Sequence, residues 1–341
     1  MQRRFVILTG IGEGGIQSEE FSMDTPLAEN EAVIETDMSM ISAGTELSRV
    51  YAIKQGFSYP VYPGYTAVGR ILRRGEGLMH LSEGDRVFYA GPHASVNRHR
   101  HMGTTQGEKI LPIDPRLSDR QACLIQMGLI AMNAVTACHG KLTDTAAVYG
   151  LGTIGLTAAL LLRREGMRVI CFDTVSSRVE AARRLGLTES FDIAPEVQGK
   201  TLMELTDGRG SEVSVDATGA PPAIINAVAG TAKHGQVILL GSPRAPFTVD
   251  ITPVFNAIHM KMLEVKGAFN ALNPFSEVEG SGRSVEKDFA AVQRLLLDGT
   301  LDDGVLISHV IAPEEIMQAY HGLMYEREVW RCAAIDWQRG G

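Results

Sequence analysis

The residues best able to do chemistry lie mid-chain: Gly150-Leu151-Gly152-Thr153-Ile154-Gly155, with Asp173 eighteen residues beyond the last glycine. Glycines at this spacing permit a tight turn, a close backbone approach to a bulky anion, and close packing of the helix that follows. The start of that helix offers unpaired N–H groups and a positive dipole end to phosphate. A carboxylate at the next strand end suits ribose hydroxyls and repels a 2′-phosphate. The pattern therefore predicts a bound dinucleotide, NAD in preference to NADP. Arg178 follows Asp173 by five residues. It is expected in the first turns of the next helix, although an arginine near this point can accommodate a 2′-phosphate.

Such a site needs a strand before the glycines, a helix after them and a second strand ending at the acid. Residues 146–149, 156–164 and 168–172 have the compositions to supply these. From about residue 121, helix and strand alternate. A helix is predicted at 121–138, strands near 212–216, 236–241 and 262–266, and helices near 176–185, 222–232 and 252–260. This is the pattern of a doubly wound parallel sheet, a Rossmann domain within an α/β chain. Residues 1–118 read instead as mostly β, with short runs at 4–8, 32–36, 66–72 and 86–89 and one short helix at 46–53. The tail reads as helix 285–297, strand 305–310 and helix 313–324.

At 341 residues the chain exceeds a typical single core, so two domains are expected. A net charge of −8 argues against nucleic acid or an anionic membrane as partner. Cys123, Cys138, Cys171 and Cys332 form no CxxC pair, which suits a reducing cytoplasm and offers no zinc knuckle. No signal peptide or membrane span is legible, and the longest largely apolar stretch, 154–162, is about half of what a span needs.

Further segments carry a family resemblance. Ile41-Ser42-Ala43-Gly44-Thr45-Glu46, Pro63-Gly64-Tyr65-Thr66-Ala67-Val68-Gly69 and Gly84-Asp85-Arg86-Val87 lie in the front part, and residues 306–310 with 314–320 in the tail. Together with the glycine fingerprint they resemble the medium-chain dehydrogenase/reductase superfamily over essentially the whole chain. The resemblance implies a GroES-like catalytic domain at 1–122, a Rossmann NAD-binding domain at 123–268, and a return segment at 269–341 completing the first. The Ser-Ala-Gly-Thr-Glu version looks closest to the branch containing bacteriochlorophyllide a dehydrogenase, which oxidises a secondary alcohol to a ketone with NAD. Zinc members of the superfamily use a cysteine and a histidine where this chain has Ala43 and Tyr65. An alanine methyl cannot bind metal and a phenol replaces imidazole poorly, so no metal is expected. The closely spaced cysteines of a structural-zinc lobe are missing too.

Without a Lewis acid, side chains must take the proton of an alcohol and steady its oxygen. Thr45 matches a relay hydroxyl of the zinc enzymes, or is a turn or N-cap hydroxyl. Tyr65 stands in for a metal ligand and could donate to a ketone oxygen or take a proton, or fill space. Glu46 is placed to orient Tyr65 or to favour a helix start. His93, in a Gly-Pro-His loop, has a suitable range for acid–base work or is simply packed. Arg98-His99-Arg100-His101 concentrates positive charge, an anion wall or a solvated loop. Thr218 and Gly219, Gly241 and Ser242, and Ala268 each lie at the end of a predicted strand. The resemblance implies that they line the cofactor, and that Arg331, in a strand-like run, reaches its pyrophosphate.

The reading is a cytoplasmic, zinc-independent, NAD-dependent oxidoreductase interconverting a secondary alcohol and a ketone, homodimeric by resemblance. Alternatives are an NADPH-dependent quinone or enoyl reductase and an inactive nucleotide-binding protein.

Overall fold

The computed structural model describes residues 1–53, 56–103, 109–243, 245–277 and 283–339. The fold is α/β, with a mixed sheet in one unit and a parallel Rossmann sheet in the other. One unit comprises Met1–Gln126 with Ala271–Gly341, and the other Met127–Asn270.

The first unit begins with a hairpin, β1 (Gln2–Gly10) and β2 (Glu13–Glu20). The polar, glycine-containing β2 is almost entirely solvent-facing, so no apolar alternation marks it in the sequence. Then follow β3 (Glu31–Met40), α1 (Ala43–Val50), β4 (Ala67–Arg74), β5 (Arg86–Tyr89), β6 (Val96–Arg100), β7 (Ile110–Pro112) and α2 (Asp119–Ala122). Strand β3 is the spine of a seven-stranded sheet. One of its edges takes β4, and the other takes β6 along Glu31–Glu35 and the C-terminal strand described below along Met38–Met40. Being paired on both edges and packed on both faces, β3 is buried at eight of its ten positions.

Helix α3 (Ile125–Ala137) begins at the end of the first stretch and runs into the second unit, which contains β8 (Thr145–Tyr149), α4 (Thr153–Arg164), β9 (Arg168–Asp173), α5 (Ser176–Arg184), β10 (Ser190–Asp192), α6 (Pro195–Leu205), β11 (Ser211–Asp216), α7 (Pro221–Gly230), β12 (Thr231–Leu239), α8 (Thr252–Lys261) and β13 (Glu264–Gly267). All pairings are parallel, in the order β10-β9-β8-β11-β12-β13. The strand order reverses between β8 and β11, which is where open α/β sheets bind ligands. Tyr149 stacks on Phe172 at 5.4 Å, and with Ile170, Leu202 and Val237 they form the core of this unit.

The tail returns to the first unit with α9 (Val285–Leu297), α10 (Asp303–Leu306), β14 (His309–Ile311), α11 (Ile316–Tyr325) and β15 (Ala333–Asp336). The strand predicted at 305–310 is overturned in its first half. The Asp302 side chain accepts the Gly304 N–H at 2.8 Å and starts a helical turn, overriding the β-branched residues. The helix predicted at 121–138 is likewise two, because Ser118 and Gln121 form a capping box that starts α2 earlier.

Lys109, just before β7, is 2% exposed, with its ammonium 5.8 Å from the centroid of the Phe88 ring and no carboxylate partner among the described residues. Burial pushes its pKa down from 10.5 to about 8. Folding thus opposes the charged form, so stability is depressed below pH 8 and recovered as pH rises toward 10.5. We expect Lys109→Met to be the more stable protein at neutral pH. Its advantage should shrink by about 3 kcal/mol by pH 11, as wild-type Lys109 loses its proton. Urea unfolding of both proteins across that range measures this, and an advantage independent of pH would refute it.

Candidate active site

In the second unit, β8 ends at Tyr149 and the chain turns at Gly150, whose φ of +92° favours glycine. The Gly150 N–H bonds the Phe172 carbonyl at 2.8 Å. A side chain on Gly155 would place its Cβ 1.8 Å from the Gly150 oxygen and 3.1 Å from the Ala217 Cβ, so the helix packs hard on the turn. Gly152 differs, because nothing lies within 4 Å of where its Cβ would be. It is the N-cap of α4, with no side-chain cap and no acid in the first turn. Gly152, Thr153 and Ile154 are partly exposed, while Leu151 is buried. Open space beside a glycine at an uncapped, unopposed helix start fits a pyrophosphate.

Asp173 closes β9. Its Oδ2 accepts the Leu151 N–H at 2.6 Å, and its Oδ1 accepts the N–H groups of Thr174 at 2.8 Å and Val175 at 2.9 Å. A carboxylate has about four acceptor sites, so Oδ2 has the room left for a ribose hydroxyl. Arg178, third in α5, lies 3.6 Å from the same Oδ2.

The neighbouring strand ends interlock. Asp216, fully buried at the end of β11, accepts the N–H groups of Thr218 and Gly219, both at 3.0 Å, and the Thr218 hydroxyl. Burial raises its pKa and these bonds oppose the rise. A Cβ on Gly219 would fall 2.3 Å from the Ser242 carbonyl oxygen, and one on Gly241 2.2 Å from the Gly219 nitrogen. Thr218 and Ser242 are exposed here, and the buried Ala268 donates its N–H to Leu239.

The first unit holds a separate polar cluster. Thr45 lies inside the first turn of α1, so it is not the N-cap; Ser42 is. The Ser42 hydroxyl is hydrogen-bonded to the Tyr65 hydroxyl, and the Ser42 N–H donates to Glu46 Oε1 at 2.7 Å. Both Thr45 and Tyr65 are half-buried. Glu46 is linked to Tyr65 through Ser42. Its Oε2 meets His93 Nε2 at 3.0 Å and accepts the Tyr320 hydroxyl at 2.7 Å. Burial alone would raise the Glu46 pKa, but the His93 ring and the bonds from His93, Tyr320 and Ser42 outweigh it and hold it below the usual range. Burial, then the Glu46 charge, push Tyr320 well above its ordinary value, so it serves as a neutral donor.

His93 corrects the expectation of an accessible loop base. It is fully buried, with Nδ1 2.9 Å from Ser39 Oγ and Nε2 on Glu46. Its N–H donates to Pro63 at 2.9 Å, and a Cβ on Gly64 would fall 2.6 Å from the His93 nitrogen, so this loop packs tightly against the Tyr65 segment. Arg331 is corrected as well. It precedes β15 instead of lying in a strand, and its guanidinium donates to the Val305 carbonyl at 2.8 Å. The anion wall is also overturned, since Arg98 at 3.9 Å and Arg100 at 3.0 Å both turn to Glu31.

Sequence reasoning missed Ser42, Ser39, Tyr320 and Trp337, whose Nε1 donates to Ser39 Oγ at 2.9 Å. The helix expected at 46–53 starts three residues earlier, at Ala43, which puts Ser42 at its N-cap. Among the described residues, no group of three or more His, Cys, Asp or Glu side chains is placed to hold a metal ion.

Residues 153–280 match the family model described as "Zinc-binding dehydrogenase". Solved alcohol dehydrogenases share the fold of this chain. The chain is 28% identical to L-threonine 3-dehydrogenase of Bacillus subtilis over 177 residues, which is 52% of the chain and under half, 47%, of that enzyme. It is 23% identical to L-threonine 3-dehydrogenase of Burkholderia cenocepacia over 78% of the chain and 80% of that enzyme. An alcohol dehydrogenase of Escherichia coli CFT073 solved with NADH superposes with a TM-score of 0.81 at 19% identity, covering 98% of this chain and 99% of that one. A zinc-binding dehydrogenase of Sinorhizobium meliloti 1021 solved with NADP superposes at 0.79 and 16%, with the same coverage. The family match lies wholly downstream of Ala43 and Tyr65, so it does not sample those positions.

Proposed function

We propose that this chain is an NAD-dependent, zinc-independent oxidoreductase interconverting a secondary alcohol and a ketone by hydride transfer. The observation carrying the proposal is Asp173 bound to the fingerprint turn at Leu151, beside the open space at Gly152. Gly150 to Gly155 would hold the pyrophosphate and Asp173 the ribose, with Thr218, Gly219, Gly241, Ser242 and Ala268 shaping the neighbouring strand ends. When bound, NAD supplies the hydride acceptor. The Tyr65 hydroxyl would hold the substrate oxygen and exchange its proton, with Thr45 as a second hydroxyl nearby in sequence to the Ser42 turn. Glu46, His93 and Tyr320 would brace α1 and the Tyr65 segment.

Zinc independence rests on donor chemistry, because Ala43 offers no lone pair and the Tyr65 hydroxyl is engaged with Ser42. Turnover of NAD with a panel of secondary alcohols including L-threonine tests the activity. Stoichiometric zinc in the active protein, with activity lost on its removal, would sink the metal-free mechanism. One observation favours NADP as a second cofactor: Arg178 stands beside Asp173, and its buried Nε has no hydrogen-bond partner among the described residues. Both dinucleotides should therefore be titrated.

We also infer a homodimer formed through the second unit. Among the described residues, strand β13 is an edge paired only to β12, and α8 has no buried residue. Phe255, Met260, Met262, Val265 and Phe269 are all exposed there, a run of apolar surface at an open edge that a second copy would cover. Val265→Lys is expected to give a monomer in sedimentation velocity, and a variant still dimeric would place the interface elsewhere.

A further inference from the structure

Ser42 breaks a local rule. It is the N-cap of α1, and serine is favoured there because its oxygen accepts an N–H from the first turn. Here the side chain makes no capping bond. Its hydroxyl is bonded to the Tyr65 hydroxyl instead, and Glu46 reaches back to the Ser42 N–H from inside the helix. The Ser42 carbonyl accepts the N–H groups of Thr45 at 3.0 Å and Glu46 at 2.9 Å, and the residue is 5% exposed. The helix thus fixes Ser42 on two sides, and Ser42 in turn meets Tyr65. A residue type suited to capping has been diverted from that work, and such departures from local preference cluster at functional sites.

Resting on the reading that Tyr65 meets the substrate oxygen, we propose that Ser42 is its positioning residue, fixing the phenol and stabilising its deprotonated form. A serine hydroxyl accepts from a phenol and, after rotating, donates to a phenolate, so it serves Tyr65 before and after proton transfer. In the oxidation direction the alcohol O–H proton passes to the Tyr65 phenolate and the C–H hydride to NAD, leaving the ketone. Ser42 keeps its own proton throughout. The titratable groups behind Ser42 are Glu46 of α1, His93 after β5 and Tyr320 of α11, and these are paired with one another.

Ultraviolet difference titration of tyrosinate in wild type, Tyr65→Phe, Ser42→Ala and Ser42→Thr reads the effect without substrate or cofactor. The step missing from Tyr65→Phe belongs to Tyr65. In Ser42→Ala that step is expected to rise by about one pH unit, because the phenolate loses a donor. Ser42→Thr, which restores the hydroxyl, is expected to return it. The pH profile of kcat with secondary alcohols should move by the same amount, with KM for NAD unchanged. If Ser42→Ala does not fold, Ser42→Cys keeps a weak donor and is expected to give a smaller rise. A folded Ser42 variant lacking the hydroxyl with an unmoved Tyr65 step overturns this proposal and leaves the role of Tyr65 standing. A Tyr65→Phe protein with wild-type turnover overturns both.

Discussion

Gly155→Ala is expected to destabilise the second unit by more than about 3 kcal/mol, whereas Gly152→Ala three residues earlier should cost about 1 kcal/mol or less. The difference comes from what each new methyl would meet. At Gly155 the nearest atoms are the Gly150 carbonyl oxygen at 1.8 Å and its carbon at 2.9 Å, both backbone, so no rotamer change relieves the clash. Either the turn leaves the end of β8 or α4 leaves the sheet. At Gly152 there is open space, and φ −65° with ψ 177° is an ordinary conformation for alanine. If the space at Gly152 is where a pyrophosphate sits, the same methyl should weaken NADH binding at least tenfold. Urea unfolding and NADH fluorescence titration on the two variants give the full comparison. Gly152→Ala with wild-type NADH affinity would remove the phosphate from this turn.

The second large effect is expected at Asp173. Removing its carboxylate in Asp173→Ala strands the N–H groups of Leu151, Thr174 and Val175, besides any ribose contact. Each donor left without a partner in a buried setting costs about 1–3 kcal/mol. We expect NADH affinity to fall by a factor on the order of 100, with discrimination against NADPH relaxed as the negative charge disappears. Asp173→Asn separates the contributions. Its amide oxygen can still serve Thr174 and Val175, but its NH2 group would face the Leu151 N–H, donor against donor. Asparagine should therefore retain much of the stability and little of the NADH affinity. Isothermal titration with NADH and NADPH decides it, and unchanged NADH affinity in the alanine variant would sink the ribose assignment.

The glycine turn was legible in the sequence because everything that defines it lies between Ala146 and Asp173, within one strand–helix–strand unit. The polar cluster of the other unit was legible only in part. Thr45, Glu46, Tyr65 and His93 sit in short recognisable segments, yet nothing local announces that Glu46 bonds Tyr320 across 274 residues or that Trp337 reaches Ser39 across 298. His93 looked accessible because Gly91 and Pro92 precede it, and loops usually run over the surface. It is buried because Gly64 has no side chain to keep the two segments apart. Among the elements, β2 escaped notice because it faces solvent, and α10 displaced an expected strand because an Asp302 cap outweighed β-branched composition.

The first unit is assembled from two stretches of chain with the whole second unit between them. Strand β15 supplies Met38–Met40 of β3 with an edge partner, and Tyr320 and Trp337 complete the bonds of Glu46 and Ser39. A growing chain on the ribosome therefore finishes its parallel sheet before it can close the network behind Tyr65. Until then β3 carries an unpaired edge, and Glu46 a carboxylate without its phenol. Domains fold largely as units from the N-terminus during synthesis. For this protein the order is inverted: the unit begun first is the unit completed last.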